Sequence, residues 1–119
     1  MAMRTFDVAA LAADSFGDLS GHLLAGERIE AAFRGETTTI LFTDRRIVTV
    51  QIQVVLTERI ETTSISYRAI RQFALNRAAD GGGRSEFRLA IEGDAPLHLR
   101  ADPGTDFGPL QTLLAERLA

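Results

Sequence analysis

Arg45 and Arg46 stand together at a tight turn between two alternating segments. The arginine fork binds carboxylate or phosphate through paired hydrogen bonds, so the pair is a candidate anion contact. The plainer reading is a solvated turn, since isolated surface arginines are common. Gly81-Gly82-Gly83-Arg84-Ser85 has the composition of a phosphate cradle. A dinucleotide fingerprint, however, needs a strand before it and a helix after it, and here a strand follows. The run reads as a loop tip. His22 and His98 are far apart and neither has metal-ligand spacing to another His. His98 is expected to face outward as a solvated side chain. The carboxylate pairs Glu58/Glu61 and Glu92/Asp94 could serve acid–base chemistry only inside a pocket that shifts their pKa, and nothing places them in one. Ser15, Ser64 and Ser85 lack the context of a nucleophile elbow. Tyr67, the only Tyr, is either a polar-tipped anchor at an interface or a packed side chain at a rim.

Composition narrows the chemistry further. The chain has 119 residues, 45% hydrophobic and 24% charged, with a formal net charge of -3. These are values of one globular domain, able to bury roughly two thirds of its unfolded surface. Without Cys there are no disulfides, thiolate metal sites or Cys nucleophiles. All 13 basic residues are Arg, which removes the lysines of phosphate loops, Schiff bases and Ser-x-x-Lys hydrolases. No cofactor and no catalytic activity are expected. The middle of the chain, residues 45–100, carries nine Arg against six acids, but the signs are mixed throughout. Nucleic-acid binders present a one-signed stripe with interleaved aromatics, so no nucleic-acid partner is expected. No apolar run approaches the ~20 residues of a membrane span. The stretch Val8 to Ala13 is short and has acidic flanks, unlike a secretory signal, and a cytoplasmic location is expected.

Periodicity gives the elements. Val8, Leu11 and Ala12 share a helical face, which predicts a short helix over 5–15. From Gly26 the period changes to two. Strands are expected over 28–34, 37–43, 46–54, 59–64, 72–76, 86–92 and 96–101. Gly35-Glu36 and Asp44-Arg45 form turns, and residues 78–85 form a loop. Phe107, Leu110, Leu113, Leu114 and Leu118 make the stripe of a terminal helix, with Thr105 or Asp106 as its cap. Short strands closed by a helix predict a mainly β fold: a seven-stranded antiparallel barrel capped by a C-terminal α-helix, preceded by a short N-terminal helix. The corresponding division is a helical extension over 1–20 and a barrel domain over 21–119.

One strand region is too apolar for a barrel standing alone. Val48, Val50, Ile52 and Val54 suffice to fill the interior, which leaves Ile47, Val55 and Leu56 over. Such an excess marks either a protein contact or a face covered by the N-terminal helix.

Several blocks carry a family resemblance. They are Leu23-Leu24-Ala25-Gly26-Glu27, Ala32-Phe33-Arg34, Phe42-Thr43-Asp44-Arg45-Arg46-Ile47 and Ser64-Ile65-Ser66-Tyr67-Arg68-Ala69-Ile70, followed by the terminal helix. Together they resemble the bacterial pleckstrin-homology-like (PH-like) domain family over about residues 20–118. Ser66 stands where that family usually has Pro, and residues 54–57 replace a glycine-bearing turn. The resemblance implies the PH-like barrel and a non-catalytic module that forms homo-oligomers. With the apolar excess it predicts an oligomer larger than a dimer, a closed ring being one form. The expected partners are further copies of the chain or another protein, with Arg45, Arg46, Ile47, Val55, Leu56 and Tyr67 as the interaction residues. The alternative is a small-ligand or membrane-surface module using Arg45 and Arg46. Phosphoinositide binding is not implied: the loop that carries basic residues in eukaryotic PH domains is here the short, acidic Gly35-Glu36.

Overall fold

The computed structural model describes residues 4–54, 56–77, 79–80 and 82–118. Among these residues nine strands form two open sheets. They are β1 (Arg4–Asp7), β2 (Ala9–Ala10), β3 (Ile29–Arg34), β4 (Thr38–Thr43), β5 (Arg46–Val54), β6 (Glu58–Ser66), β7 (Ile70–Asn76), β8 (Ser85–Ile91) and β9 (Leu97–Ala101). One sheet runs β1-β9-β8-β7 and the other β2-β3-β4-β5-β6. The single α-helix among the described residues, α1 (Gly108–Leu118), follows β9. Two 3-10 segments, Ala13–His22 and Tyr67–Ala69, connect strands.

Neither sheet closes, so the seven-stranded barrel is corrected to a pair of open sheets. β6 and β7 are consecutive in the chain but end different sheets, and the turn Tyr67–Ala69 separates them. The two strands beyond the expected seven come from the segment read as an N-terminal helix. Residues 4–8 alternate, with Thr5 and Asp7 exposed and Phe6 and Val8 covered, which is period two. A helix this short is marginal, and the free edges of two sheets supply its backbone with better partners. β1 pairs in parallel with β9, and β2 pairs antiparallel with β3. The Val8 amide donates to the Arg100 carbonyl and the Leu11 amide to the Ala32 carbonyl, at 2.8 and 2.9 Å. Residues 4–11 therefore fasten the two sheets along one corner. The backbone passes so close there that a Cβ on Gly35 would lie 2.6 Å from the Asp7 carbonyl oxygen.

The main core lies between the sheets and under α1. Phe107 stacks on Phe33 of one sheet and on Phe87 of the other, with centroids 5.4 and 5.5 Å apart. Leu110, Leu113 and Leu114 extend the same contact, as the helical stripe predicts. Asp106 caps the helix by accepting from the Gly108 amide at 2.8 Å.

A second apolar layer covers the outside of the five-stranded sheet. Ala32, Leu41, Val48 and Val50 are buried there beneath Leu19, with Leu11, Phe16 and Leu23 at its border. This reverses the expected facing of β5. Ile47 is fully buried in the core between the sheets, while Val48 and Val50 lie on the outer face under the segment Ala13–His22. The apolar excess is thus partly covered within the chain. Ile52 and Val54 continue the outer face beyond that cover.

Candidate functional site

Two features stand out: a buried polar cluster at the β4–β5 turn, and an uncovered apolar strip at the far end of the β5–β6 hairpin.

The cluster centres on Glu27. Leu24 to Glu27 is a turn closed by the Glu27 amide donating to the Leu24 carbonyl, with Gly26 at a φ of 78°, a conformation that favours glycine. The turn sends the Glu27 carboxylate inward, where its side chain has no solvent exposure. Arg46 holds it through two bonds, Nε to Oε2 and Nη2 to Oε1, both 3.0 Å. The Thr43 hydroxyl donates to Oε2 at 2.7 Å and the Leu24 amide to Oε1 at 3.0 Å. The same Thr43 oxygen accepts from the amides of Arg45 and Arg46, which fixes the turn. Arg46 Nη2 also donates to the His22 carbonyl, and Nη1 donates to the Ser64 hydroxyl. Arg46 chiefly, then Thr43 and the Leu24 amide, hold the Glu27 carboxyl down at about 2, against the opposing cost of burial. The cluster therefore ties the end of the 13–22 cover to β4, β5 and β6.

Tyr67 belongs to the same corner. It is buried, its hydroxyl donates to the Thr43 carbonyl, and the Arg117 guanidinium of α1 lies 5.7 Å from its ring centre. Burial pushes its pKa well above that of free tyrosine. Because it is the only Tyr, its ionisation can be followed by absorbance alone. We expect no phenolate signal through the ordinary tyrosine range near pH 10, then a rise together with alkaline unfolding. A normal titration of the folded protein would show that the hydroxyl is not enclosed.

The strip lies at the other end of β5. Ile52 is 41% exposed, Val54 72%, Ile60 63% and Leu56, at the hairpin turn, 96%. Ile52 and Ile60 face each other across the hairpin, and Val54 stands opposite Glu58. Ile52, Val54 and Ile60 share one face, the continuation of Val48 and Val50. β6 is an edge strand, so one side of its backbone has no strand partner.

The expected interaction residues are thus divided between different environments. Arg45 is exposed at its turn, whereas Arg46 is committed to Glu27. Ile47 is enclosed in the core, Tyr67 is packed at the corner and Leu56 projects into solvent. Val55 lies outside the described residues. Glu27, Ile52, Val54 and Ile60 were not singled out as site residues from sequence. Their signal was available in the hairpin register, which puts Ile60 opposite Ile52, and in an acid preceding the alternation that begins at Ile29.

His98 is also corrected: it is buried rather than solvated. Its Nδ1 lies 3.3 Å from the Thr5 hydroxyl and its Nε2 3.1 Å from Glu86 Oε1. The glycine loop borders a depression of about 670 Å³ with Gly104, Thr105 and Asp106. Gly82 donates to Asp80 within that loop, and Gly81 lies outside the described residues. Among the described residues no group of three His, Asp or Glu is placed to hold a metal ion, and no helix is long and apolar enough to cross a membrane.

Two packed sheets with a C-terminal helix laid against the core are the architecture of PH-like domains. The chain belongs to the bacterial PH domain family, whose model matches residues 6–118. A protein of Shewanella loihica with a pleckstrin-homology domain is similar in structure, with a TM-score of 0.74 at 24% identity, covering 96% of this chain and 99% of that one. The pleckstrin homology domain from Shewanella amazonensis has a TM-score of 0.63 at 26% identity, covering 89% and 86%. The PH-domain protein of Exiguobacterium sibiricum has a TM-score of 0.71 at 17% identity, covering 94% of this chain and 61% of that one. The uncharacterized protein YjqA of Bacillus subtilis is 36% identical over 76 residues, 64% of this chain and 61% of that relative. The matched segment thus spans about three fifths of YjqA.

Proposed function

We propose that the chain is a non-catalytic PH-like interaction module that associates with further copies of itself through the end of the β5–β6 hairpin. The observation that carries this reading is the uncovered strip Ile52, Val54, Leu56 and Ile60, which continues a face buried elsewhere by the chain's own N-terminal segment. Contiguous exposed apolar surface of this kind marks contact sites. An edge strand beside it adds backbone groups able to pair with another chain. The anion-binding alternative has less support. The Arg46 guanidinium is satisfied by Glu27 and its neighbours, which leaves Arg45 alone at that turn.

Replacing Ile52 and Ile60 by Ser should weaken association without unfolding the chain, because both are substantially exposed. Leu24→Ser, at an exposed apolar residue outside the strip, is the control and should leave association unchanged. Sedimentation over micromolar concentrations reads both. Equal association of the unaltered chain and the Ile52→Ser/Ile60→Ser variant would remove the strip from the interface.

A further inference from the structure

The segment that covers the outside of the five-stranded sheet is held by little. Ala13–His22 is a run of 10 residues in 3-10 conformation, whereas such runs rarely exceed about four residues because their hydrogen bonds are poorly aligned. Its first turn has no side-chain cap, and Leu19 is its only buried residue. Among the described residues one hydrogen bond joins it to a sheet, from Arg46 Nη2 to the His22 carbonyl at 3.3 Å. A Cβ on Gly17 or Gly21 would meet no atom within 4 Å, so close packing asks for neither glycine, and each adds freedom that the segment loses on docking.

The surface beneath is built differently. Ala32 of β3, Leu41 of β4, and Val48 and Val50 of β5 are buried under the segment. These strands pair with one another and with β6, and the segment takes no part in those ladders. Lifting it would break no ladder bond. On β5 the same face runs on to Ile52 and Val54, which the segment leaves exposed. At that boundary His22, Val50, Ile52 and Ile60 border an open depression of about 270 Å³. The cover thus stops partway along a continuous apolar face.

We propose that residues 12–23 are a displaceable cover, tethered at Leu11 and at the Leu24–Glu27 turn, that opens while both sheets stay folded. Opening breaks the bond from Arg46 to the His22 carbonyl and lifts Leu19 off the sheet. The Leu11 amide keeps its bond to the Ala32 carbonyl at 2.9 Å, and Arg46 keeps both bonds to Glu27. Val48 and Val50 then join Ile52 and Val54 as outward apolar positions of β5, and Leu41 joins them from β4. In the closed state the segment itself occupies this face and sets how much of it is on offer. Openings that give up few apolar contacts cost far less than global unfolding. The device is independent of whether the strip joins copies of the chain.

The absence of Cys supplies the test, because one introduced thiol reports one place. Ile47 and Val48 are neighbours on β5 and both fully buried, but Ile47 faces the core between the sheets and Val48 faces the cover. A thiol reagent added to the folded full chain should label Leu19→Cys and Val48→Cys at similar rates, roughly a hundredfold or more faster than Ile47→Cys. Urea below the unfolding transition should speed Ile47→Cys steeply and the other two only slightly, because opening exposes little surface. That slope separates local opening from any general loss of stability in a variant. In the unaltered chain the Leu23 amide, bonded to the Ser20 carbonyl, should exchange much faster than the Leu41 amide inside the sheet. Val48→Cys labelled as slowly as Ile47→Cys, or with as steep a response to urea, would mean that the face is uncovered only by unfolding, and would overturn the proposal. Equal protection of the Leu23 and Leu41 amides would do the same.

Discussion

Glu27→Ala should lower the unfolding free energy by about 3–5 kcal/mol, a large part of the about 5–15 kcal/mol that holds a domain together. The variant leaves the Arg46 guanidinium, itself mostly covered, without its counter-charge, and removes the acceptor for Thr43 and the Leu24 amide. Arg46→Ala should cost a similar amount for the converse reason, a carboxylate left buried and unpaired. Glu27→Met/Arg46→Met should be less damaging than either single change, because no uncompensated charge remains. Urea unfolding of the four proteins measures this. Additive losses would mean that the two residues do not act as a pair. The same pair sets an acid limit. The folded carboxyl, near 2, lies below its ordinary value of 4.5, so its contribution is complete above about pH 4.5 and is lost as pH falls toward 2. Glu27→Gln should flatten the stability profile across that window, and an unchanged profile would contradict the assignment.

Phe107→Ala should cost about 3–5 kcal/mol, the range for deleting a buried aromatic ring. The position matters as much as the area. Phe107 precedes α1 and touches Phe33 and Phe87, so it joins the helix to both sheets at one point. With it gone, Leu110, Leu113 and Leu114 must hold the helix alone. Amides of the last helical turns should then exchange faster than those of β4 and β8. A melting temperature within a degree of the unaltered chain would show that the sheets are held together elsewhere.

The elements were legible wherever the hydrophobic period was unambiguous. The strands from Ile29 onward and the terminal helix sit where alternation and the 3.6-residue stripe put them. Residues 4–10 were not legible, because Ala-rich composition favours a helix and only the sheet edges β9 and β3 make the segment extended. The choice between barrel and open sheets depends on hydrogen bonds across the β6–β7 corner, which no local pattern encodes. The facing of β5 was misread for a related reason. A strand apolar on both faces has no internal sign of which side is the core, and the layer over Val48 and Val50 comes from Leu19, far away in sequence. Glu27 stood out only as the last residue of the Leu23–Glu27 block; its partner Arg46 is nineteen residues away and meets it only once the turn and hairpin have formed.

The account turns on whether the strip at the hairpin end is a contact between copies. Light scattering on the unaltered chain at micromolar concentration tests this most directly. It should give a mass of at least twice 13.0 kDa. A single species at 13.0 kDa across that range would contradict the account.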